Sequence, residues 1–432
     1  MALGAALAKV IKNPTFIDEK DRYETIKIQD IPILLCEDGS ICCIPKEEEV
    51  FSSAVVGSSG TGKTLIVNRI VSHLFYQWKD NVALLNDVSE ETYKWSEPMD
   101  YPEFNLFNET YLNQSPCPSP LVYVYPKTNT LEINKKMMKN KNYVKIVLPF
   151  EEILNDIGFY LNGVNPEFEL GKSAIYIRDL NPYLIECETT AQIREVLNEQ
   201  LPGSDGKSFK AMRVKIMTAF DSLFREEILD ITNPECHSNL KLENSELDNP
   251  FITLMKAKTI PTFITSDLAN KKYSSQVFAY HINTIFNKSL KEFENKTYLV
   301  FDELRTVCEK DDEPAAKAIG SVSARGRINN VGLIYATQFY DKIPNCVKGA
   351  KLTYLFAFSH NSSKILNEIG SDFDLDKKTK ERIKKLRKYE VIAMTNNKFV
   401  FYRDGERWED NKPVKGRIFY PLANHRKAGE GK

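Results

Sequence analysis

No run of 18 or more apolar residues occurs in the chain, so a helix spanning a bilayer is not expected. The first dozen residues are apolar but short, and no basic residues precede them. They are therefore expected to form an amphipathic helix docked on a neighbour rather than a secretory leader. Excess charge of either sign is almost missing: 58 Lys and Arg stand against 59 Asp and Glu, a net of −1. No bulk field then recruits nucleic acid or an anionic membrane, and any such partner has to be gripped by a local patch. Histidine is scarce, five scattered residues, and none of the eight cysteines stands in a C-x-x-C pair. Zinc held by ligand spacing is not expected, and the thiols read as reduced side chains of a cytoplasmic protein. The 42% hydrophobic and 27% charged composition excludes a disordered, collagenous or disulfide-scaffold chain. At 432 residues there is room for two or three domains of about 150 residues each.

What is present is a rhythm of strands and helices, broken once. Residues 1–50 carry short β-like runs, among them Ile33-Leu-Leu and, after the turn signal Asp38-Gly-Ser, Ile41-Cys-Cys-Ile. Ala54-Val-Val predicts a strand, the apolar period from Lys63 to Trp78 a helix, and Val82-Ala-Leu-Leu a second strand. Residues 97–250 lose the alternation. Helical periods at Phe150–Leu161 and Phe209–Leu229 make this segment an expected, mostly helical insertion. The rhythm returns with strands at 261–265, 297–301, 332–337 and 352–358, and helices at Ser274–Leu290 and Pro314–Arg327. Runs at 390–394 and 398–402, parted by Asn396-Asn397, suit a closing hairpin. The expected fold class is α/β, a doubly wound, mainly parallel sheet. Residues 51–96 and 251–432 form the core, 97–250 the insertion and 1–50 a short N-terminal β segment.

Gly57, Ser58, Ser59, Gly60, Thr61, Gly62, Lys63 and Thr64 fit G-x-x-x-x-G-K-[ST] in full, between an apolar strand and an amphipathic helix. Glycines let consecutive backbone N–H groups curl round a phosphate, and the helix N-terminus adds a favourable dipole. Lys63 is expected on the β- and γ-phosphates and the Thr64 hydroxyl on Mg²⁺. A second G-K-S, at Gly171-Lys-Ser173, lacks both the upstream glycine and the strand, and is set aside.

Tyr298-Leu-Val-Phe-Asp302-Glu303 is an apolar strand ending in two acids. Asp302 is placed to hold the cation and Glu303 to orient a water for in-line attack. Guanine recognition by Asn-Lys-x-Asp is missing, since Asn287-Lys-Ser-Leu290 lacks the aspartate, and no Leu-Ser-Gly-Gly-Gln occurs. An ATP-hydrolysing site with an extra strand between the two motifs remains. Gln338, at the end of the strand Gly332–Thr337, is expected to sense the γ-phosphate or the attacking water. Arg325 and Arg327, at the end of the preceding helix, are candidates to reach a neighbouring subunit's γ-phosphate and stabilise charge developing on it.

The order Gly57–Thr64, Asp302-Glu303, Arg327 and Ala336-Thr337-Gln338 resembles the HerA/FtsK superfamily of DNA-translocating ATPases. That group includes HerA helicases, conjugative and type IV secretion ATPases and viral packaging motors. Thr265-Ser-Asp267-Leu268 and Asn86-Asp87-Val-Ser-Glu90 add to the likeness. The resemblance implies a RecA-like core, ATP and Mg²⁺ as ligands, a ring that is commonly hexameric, an arginine acting in trans and duplex DNA in the pore. A nuclease, a capsid protein or a relaxase as companion would each select a different pathway. An ATP-driven switch, or an assembly or secretion motor that moves a protein, is the alternative. Two basic clusters are candidate DNA grips: Lys135, Lys136, Lys139, Lys141 and Lys145 in the insertion, and Lys377–Lys388 with its eight cations.

Overall fold

The computed structural model describes residues 29–46, 49–87, 91–126, 143–146, 148–149, parts of 180–200, 214, 218, 229–230, 250–264, 271–348 and 352–424. The expected helix at the start of the chain, the helices at Phe150–Leu161 and Phe209–Leu229, the Gly171 decoy, the Lys135–Lys141 cluster and Thr265–Leu268 lie outside the described residues.

In chain order the strands open with β1 (Ile31–Cys36), β2 (Ile41–Ile44), β3 (Ser52–Val56) and β4 (Asn81–Asp87). Helix α1 (Lys63–Tyr76) lies between β3 and β4, and α2 (Pro102–Leu112) follows. Then come β5 (Leu121–Pro126), β6 (Tyr143–Ile146) and a separate parallel pair, β7 (Leu148–Pro149) with β8 (Leu229–Asp230). Helices α3 (Thr190–Gln200) and α4 (Pro250–Lys256) lead to β9 (Ile260–Ile264), α5 (Lys271–Glu292), β10 (Thr297–Phe301), α6 (Pro314–Arg325) and β11 (Val331–Thr337). The chain continues through α7 (Asn345–Lys348), β12 (Tyr354–Phe358), α8 (Ser363–Asp372) and α9 (Lys377–Lys384). It closes with β13 (Glu390–Thr395), β14 (Phe399–Arg403), β15 (Glu406–Asp410) and β16 (Val414–Ile418).

Fourteen strands form one sheet in the order β15-β14-β2-β1-β16-β13-β12-β3-β11-β10-β4-β9-β5-β6. From β12 to β6 every pairing is parallel, and from β12 to β15 every pairing is antiparallel. The central strands are mainly apolar because both faces are covered, as a parallel sheet requires. Alternate side chains fall into two cores. Ala54, Ala83, Leu85, Leu299, Phe301, Leu333 and Tyr335 meet α5 and α6. Val55, Val82, Leu84, Tyr298, Val300, Ile334 and Ala336 meet α1.

The sheet takes in two outlying segments and corrects one expected pairing. The strand Leu121–Pro126 falls inside the 97–250 segment, yet it pairs with β9 and extends the parallel sheet. The N-terminal pair β1–β2 is likewise woven in, against β16 and β14. The closing hairpin is a correction: β13 and β14 are not partners, being separated by β16, β1 and β2. Asn396 is tied instead to the start of β12, through Asn396 N–H to Thr353 O at 3.0 Å and its side-chain amide to Leu352 O at 2.9 Å. The real hairpin is β14–β15, turned by Asp404 (φ 52°) and Gly405 (φ 83°), the two left-handed residues of a two-residue hairpin turn.

Arg69 fastens α1 to β1 and to the segment that follows β16. It is fully buried, and its guanidinium donates to Pro32 O, to Tyr420 O at 2.6 Å and to Gln114 Oε1 at 2.8 Å. It also lies over the Phe419 ring, 5.2 Å from the centroid. Removing it takes a charged donor from three buried acceptors, of which Tyr420 O keeps the Asn108 amide at 2.9 Å. Arg69→Ala is therefore expected to cost about 3–5 kcal/mol of folding free energy, measured by denaturant unfolding. A loss below about 1 kcal/mol would show that water replaces the guanidinium there.

Candidate nucleotide-binding and hydrolysis site

The site forms where β3, β11, β10 and β12 end. The Gly57 N–H reaches Thr337 O at 3.4 Å and the Ser58 N–H reaches Ser359 O at 3.1 Å, so the loop is pinned to the ends of both flanking strands. A Cβ at Gly57 would come within 2.5 Å of Phe358 Cβ, which leaves glycine as the residue that fits. Gly62 caps α1 with φ 119°, a conformation L side chains rarely adopt. Inside the loop, the Thr61 hydroxyl donates to Ser58 O at 2.8 Å, and Lys63 Nζ donates to the same carbonyl at 3.0 Å. The buried ammonium is thus folded across the cradle.

Thr64, the first-turn residue of α1, donates its hydroxyl to Asp302 Oδ1 at 2.9 Å. Asp302 and Glu303 follow the fully buried strand β10. Burial pushes the Asp302 carboxyl above its ordinary range, against the opposing pull of the Thr64 hydroxyl and Lys63. Hydroxyl and carboxylate oxygens suit Mg²⁺, which takes one or two protein oxygens and completes its shell from phosphates and water. A desolvated carboxylate beside a hydroxyl fits that ion. Among the described residues no group of three or more His, Cys, Asp and Glu gathers as a metal cage.

Glu303 is held at both oxygens. Thr337 Oγ1 donates to Oε1 at 3.0 Å, and the Gln338 backbone N–H donates to Oε2 at 3.3 Å. Burial raises its pKa, with the Thr337 hydroxyl and Lys63 acting the other way. A fixed carboxylate with raised basicity matches what a proton acceptor for water requires. Strand β11, which ends at Thr337 with Gln338 next, lies between β3 and β10, where an extra strand between the two motifs was expected.

Gln338 is positioned through its backbone at both ends. Ser362 N–H donates to His360 Nδ1 at 3.1 Å, so the other ring nitrogen carries the proton and donates to Gln338 O, also at 3.1 Å. Neither Thr337 nor His360 stood out as a positioning group in the sequence. Thr337 lay inside a recognised motif without a role, and His360, 22 residues downstream of Gln338, has no local signal. Arg305 was missed as well: it lies over the Phe339 ring at 4.5 Å and pairs with Glu309 at 3.2 Å. His360→Ala is expected to lower turnover by up to about 100-fold with nucleotide affinity kept, because Gln338 loses its anchor. His360→Gln, whose amide can still donate, should recover part of the rate. Unchanged single-turnover hydrolysis in His360→Ala would remove His360 from this role.

Arg325 and Arg327 are not brought to this chain's own phosphate loop. They precede β11, whereas Gln338 follows it, and seven strand residues span about 20 Å. Arg325 lies over the Phe286 ring at 5.8 Å, and Arg327 pairs with Glu49 at 3.1 Å, both partners 67% exposed. No described helix is long and apolar enough to cross a membrane.

The same architecture is found in two solved structures. VirB4 of Thermoanaerobacter pseudethanolicus superposes with a TM-score of 0.50 and 11% identity, over 90% of this chain and 96% of that one. The bacterial conjugative coupling protein TrwB, in an unbound form, gives 0.50 and 11% over 89% of each chain. The fold is therefore an α/β P-loop NTPase fold of the kind these two proteins share, in line with the superfamily its motifs resemble. No family model matches the chain, and no curated protein matches it in sequence.

Proposed function

We propose that the protein is an ATP-hydrolysing motor that assembles into a ring, expected to be a hexamer, and moves duplex DNA in the cytoplasm. The observation that carries this reading is the Glu303 carboxylate, fixed between Thr337 and Gln338, one residue after an Asp302 bonded to the last residue of the phosphate loop. On this reading Gly57–Thr64 wraps the triphosphate, and Lys63 turns from Ser58 O to the β- and γ-phosphates. Mg²⁺, held by Thr64 and Asp302, would neutralise charge on those phosphates. Glu303 accepts the proton of the attacking water, and Gln338 follows the γ-phosphate through the bond its backbone makes to Glu303. DNA as the substrate is supported by the order of the motifs, which resembles that of DNA-translocating ATPases, and the fold is one shared with a bacterial conjugative coupling protein. The test is ATPase activity of the assembled protein with and without duplex DNA. Stimulation by DNA supports the translocase, whereas indifference points to a switch or a secretion motor working on a protein partner.

A further inference from the structure

We propose that the exposed basic ridge on α9 and the turn after it is where the phosphate backbone of duplex DNA docks, and that Tyr389 couples this contact to the phosphate loop. The proposal rests on the DNA-motor reading and deepens it. From 377 to 388 the chain carries eight cations and one acid, Glu381, within a protein of net charge −1. Asp376 caps the helix by accepting from the Thr379 N–H at 2.6 Å, which fixes its direction. Leu375, Ile383 and Leu386 are buried in the core and hold the helix down. The opposite side is left to Lys377, Lys378, Arg382, Lys385, Arg387 and Lys388, all exposed.

An ordinary solvated helix intersperses acids at three- and four-residue spacing to pair such cations. Here Glu381 pairs with Lys384 at 2.7 Å, and Lys380 reaches the Asn367 amide oxygen at 3.3 Å. None of the six exposed cations has a carboxylate in ion-pair contact among the described residues. Nearby acids act at longer range: Asp376 on Lys378 and Arg382, Glu381 on Lys377 and Lys385, and Glu37 on Arg382, while Glu390 accepts the Arg387 backbone N–H and pairs with Lys415 at 3.7 Å. Six exposed cations without a carboxylate in close contact suit a polyanion, and the counterions released from its phosphates would supply the binding.

The ridge runs directly into the nucleotide site. Tyr389 adopts φ 69°, a left-handed conformation for an aromatic residue, which persists only where the surroundings hold it. Its N–H donates to Thr61 O at 3.2 Å and its carbonyl accepts from the Ile418 N–H at 3.0 Å. Its ring stands 3.2 Å from the Cβ position of Gly62, and Lys388 lies over that ring at 4.9 Å. A shift of the ridge is therefore felt at Thr61 and Gly62, and by linkage a change at the loop alters the grip on DNA.

The experiment measures binding of a fluorescent duplex to the full chain across a salt series, with and without a non-hydrolysable ATP analogue, alongside DNA-stimulated ATPase. Lys377→Gln/Lys378→Gln/Lys385→Gln should weaken DNA binding at least tenfold and make the slope of log K against log salt shallower by about 3, with DNA-independent ATPase unchanged. Tyr389→Ala should keep the salt slope but bring DNA affinities with and without nucleotide together. If the wild type responds to DNA and the triple variant keeps its slope, the motor reading stands and the ridge is overturned. If the slope falls but Tyr389→Ala keeps the nucleotide effect, the coupling is overturned. A wild type that neither binds nor responds to DNA ends both.

Discussion

Glu303→Gln should bind ATP as the wild type does while its steady-state turnover falls by about 10²–10⁴-fold, the range for losing a positioned general base. Lys63→Ala should instead weaken nucleotide binding itself. The division follows from where the two side chains sit. Lys63 folds over the loop backbone at Ser58, so its loss removes charge from the cradle. Glu303 stands beyond the cradle and is held by Thr337 and Gln338, so its amide leaves the loop intact. A second readout separates a functional carboxylate from a structural one. Burial raises the pKa of Glu303 above its ordinary value, as it does for Asp302 beside it. A carboxyl whose folded-state pKa is raised costs stability once ionised: the cost is absent at low pH and grows as pH rises through the folded value. Glu303→Gln is therefore expected to raise the unfolding midpoint of the nucleotide-free protein at neutral pH, with a gain that shrinks as pH falls. Normal turnover in purified Glu303→Gln would refute the assignment of the base. A lowered midpoint at neutral pH would show that the bonds to Thr337 and Gln338 outweigh the burial cost.

The parts of this architecture that were readable in advance are those whose cause is local. The P-loop carries its own turn geometry in Gly60 and Gly62, and β10 and β11 announce themselves as uninterrupted apolar runs before polar ends. The requirement for glycine at position 57 has a distant cause, since it is set by Phe358 on a strand some 300 residues later. The same holds for Thr337, which meets Glu303 only because β11 inserts between β3 and β10. Strand pairing was the least legible. β5 looked like part of an insertion because its partner, β9, lies more than 130 residues on. The Asn396-Asn397 signal is a real turn, but side-chain bonds to β12 divert the chain from the adjacent hairpin, and Asp404-Gly405 was the better local sign. At the candidate site, the motifs located the reactive groups, while the hydrogen bonds that orient them came only with the fold.

Hydrolysis should require assembly, with Arg327, or Arg325 in its place, completing a neighbour's site. In its own chain each arginine lies about 20 Å of strand away from the end that carries Gln338, so it has no route to its own γ-phosphate. What surrounds them suits a contact with another subunit. Among the described residues Arg327 is held by an exposed pair with Glu49, a bond worth little in water, and Ile328 beside it is 72% exposed. An arginine that stabilises charge on the transferred phosphoryl group is worth roughly 10³–10⁵ in rate, so dilution to monomers should leave almost no activity. Arg327→Ala should then be nearly inactive with ATP affinity kept, and Lys63→Ala inactive through lost binding. Mixed together they should recover activity, because some interfaces pair the intact loop of one variant with the intact arginine of the other. Recovery should pass through a maximum as the ratio is varied. If the two variants stay inactive at every ratio, in assemblies shown to exchange subunits, Arg327 does not act across an interface. The same mixing with Arg325→Ala then decides whether its neighbour does.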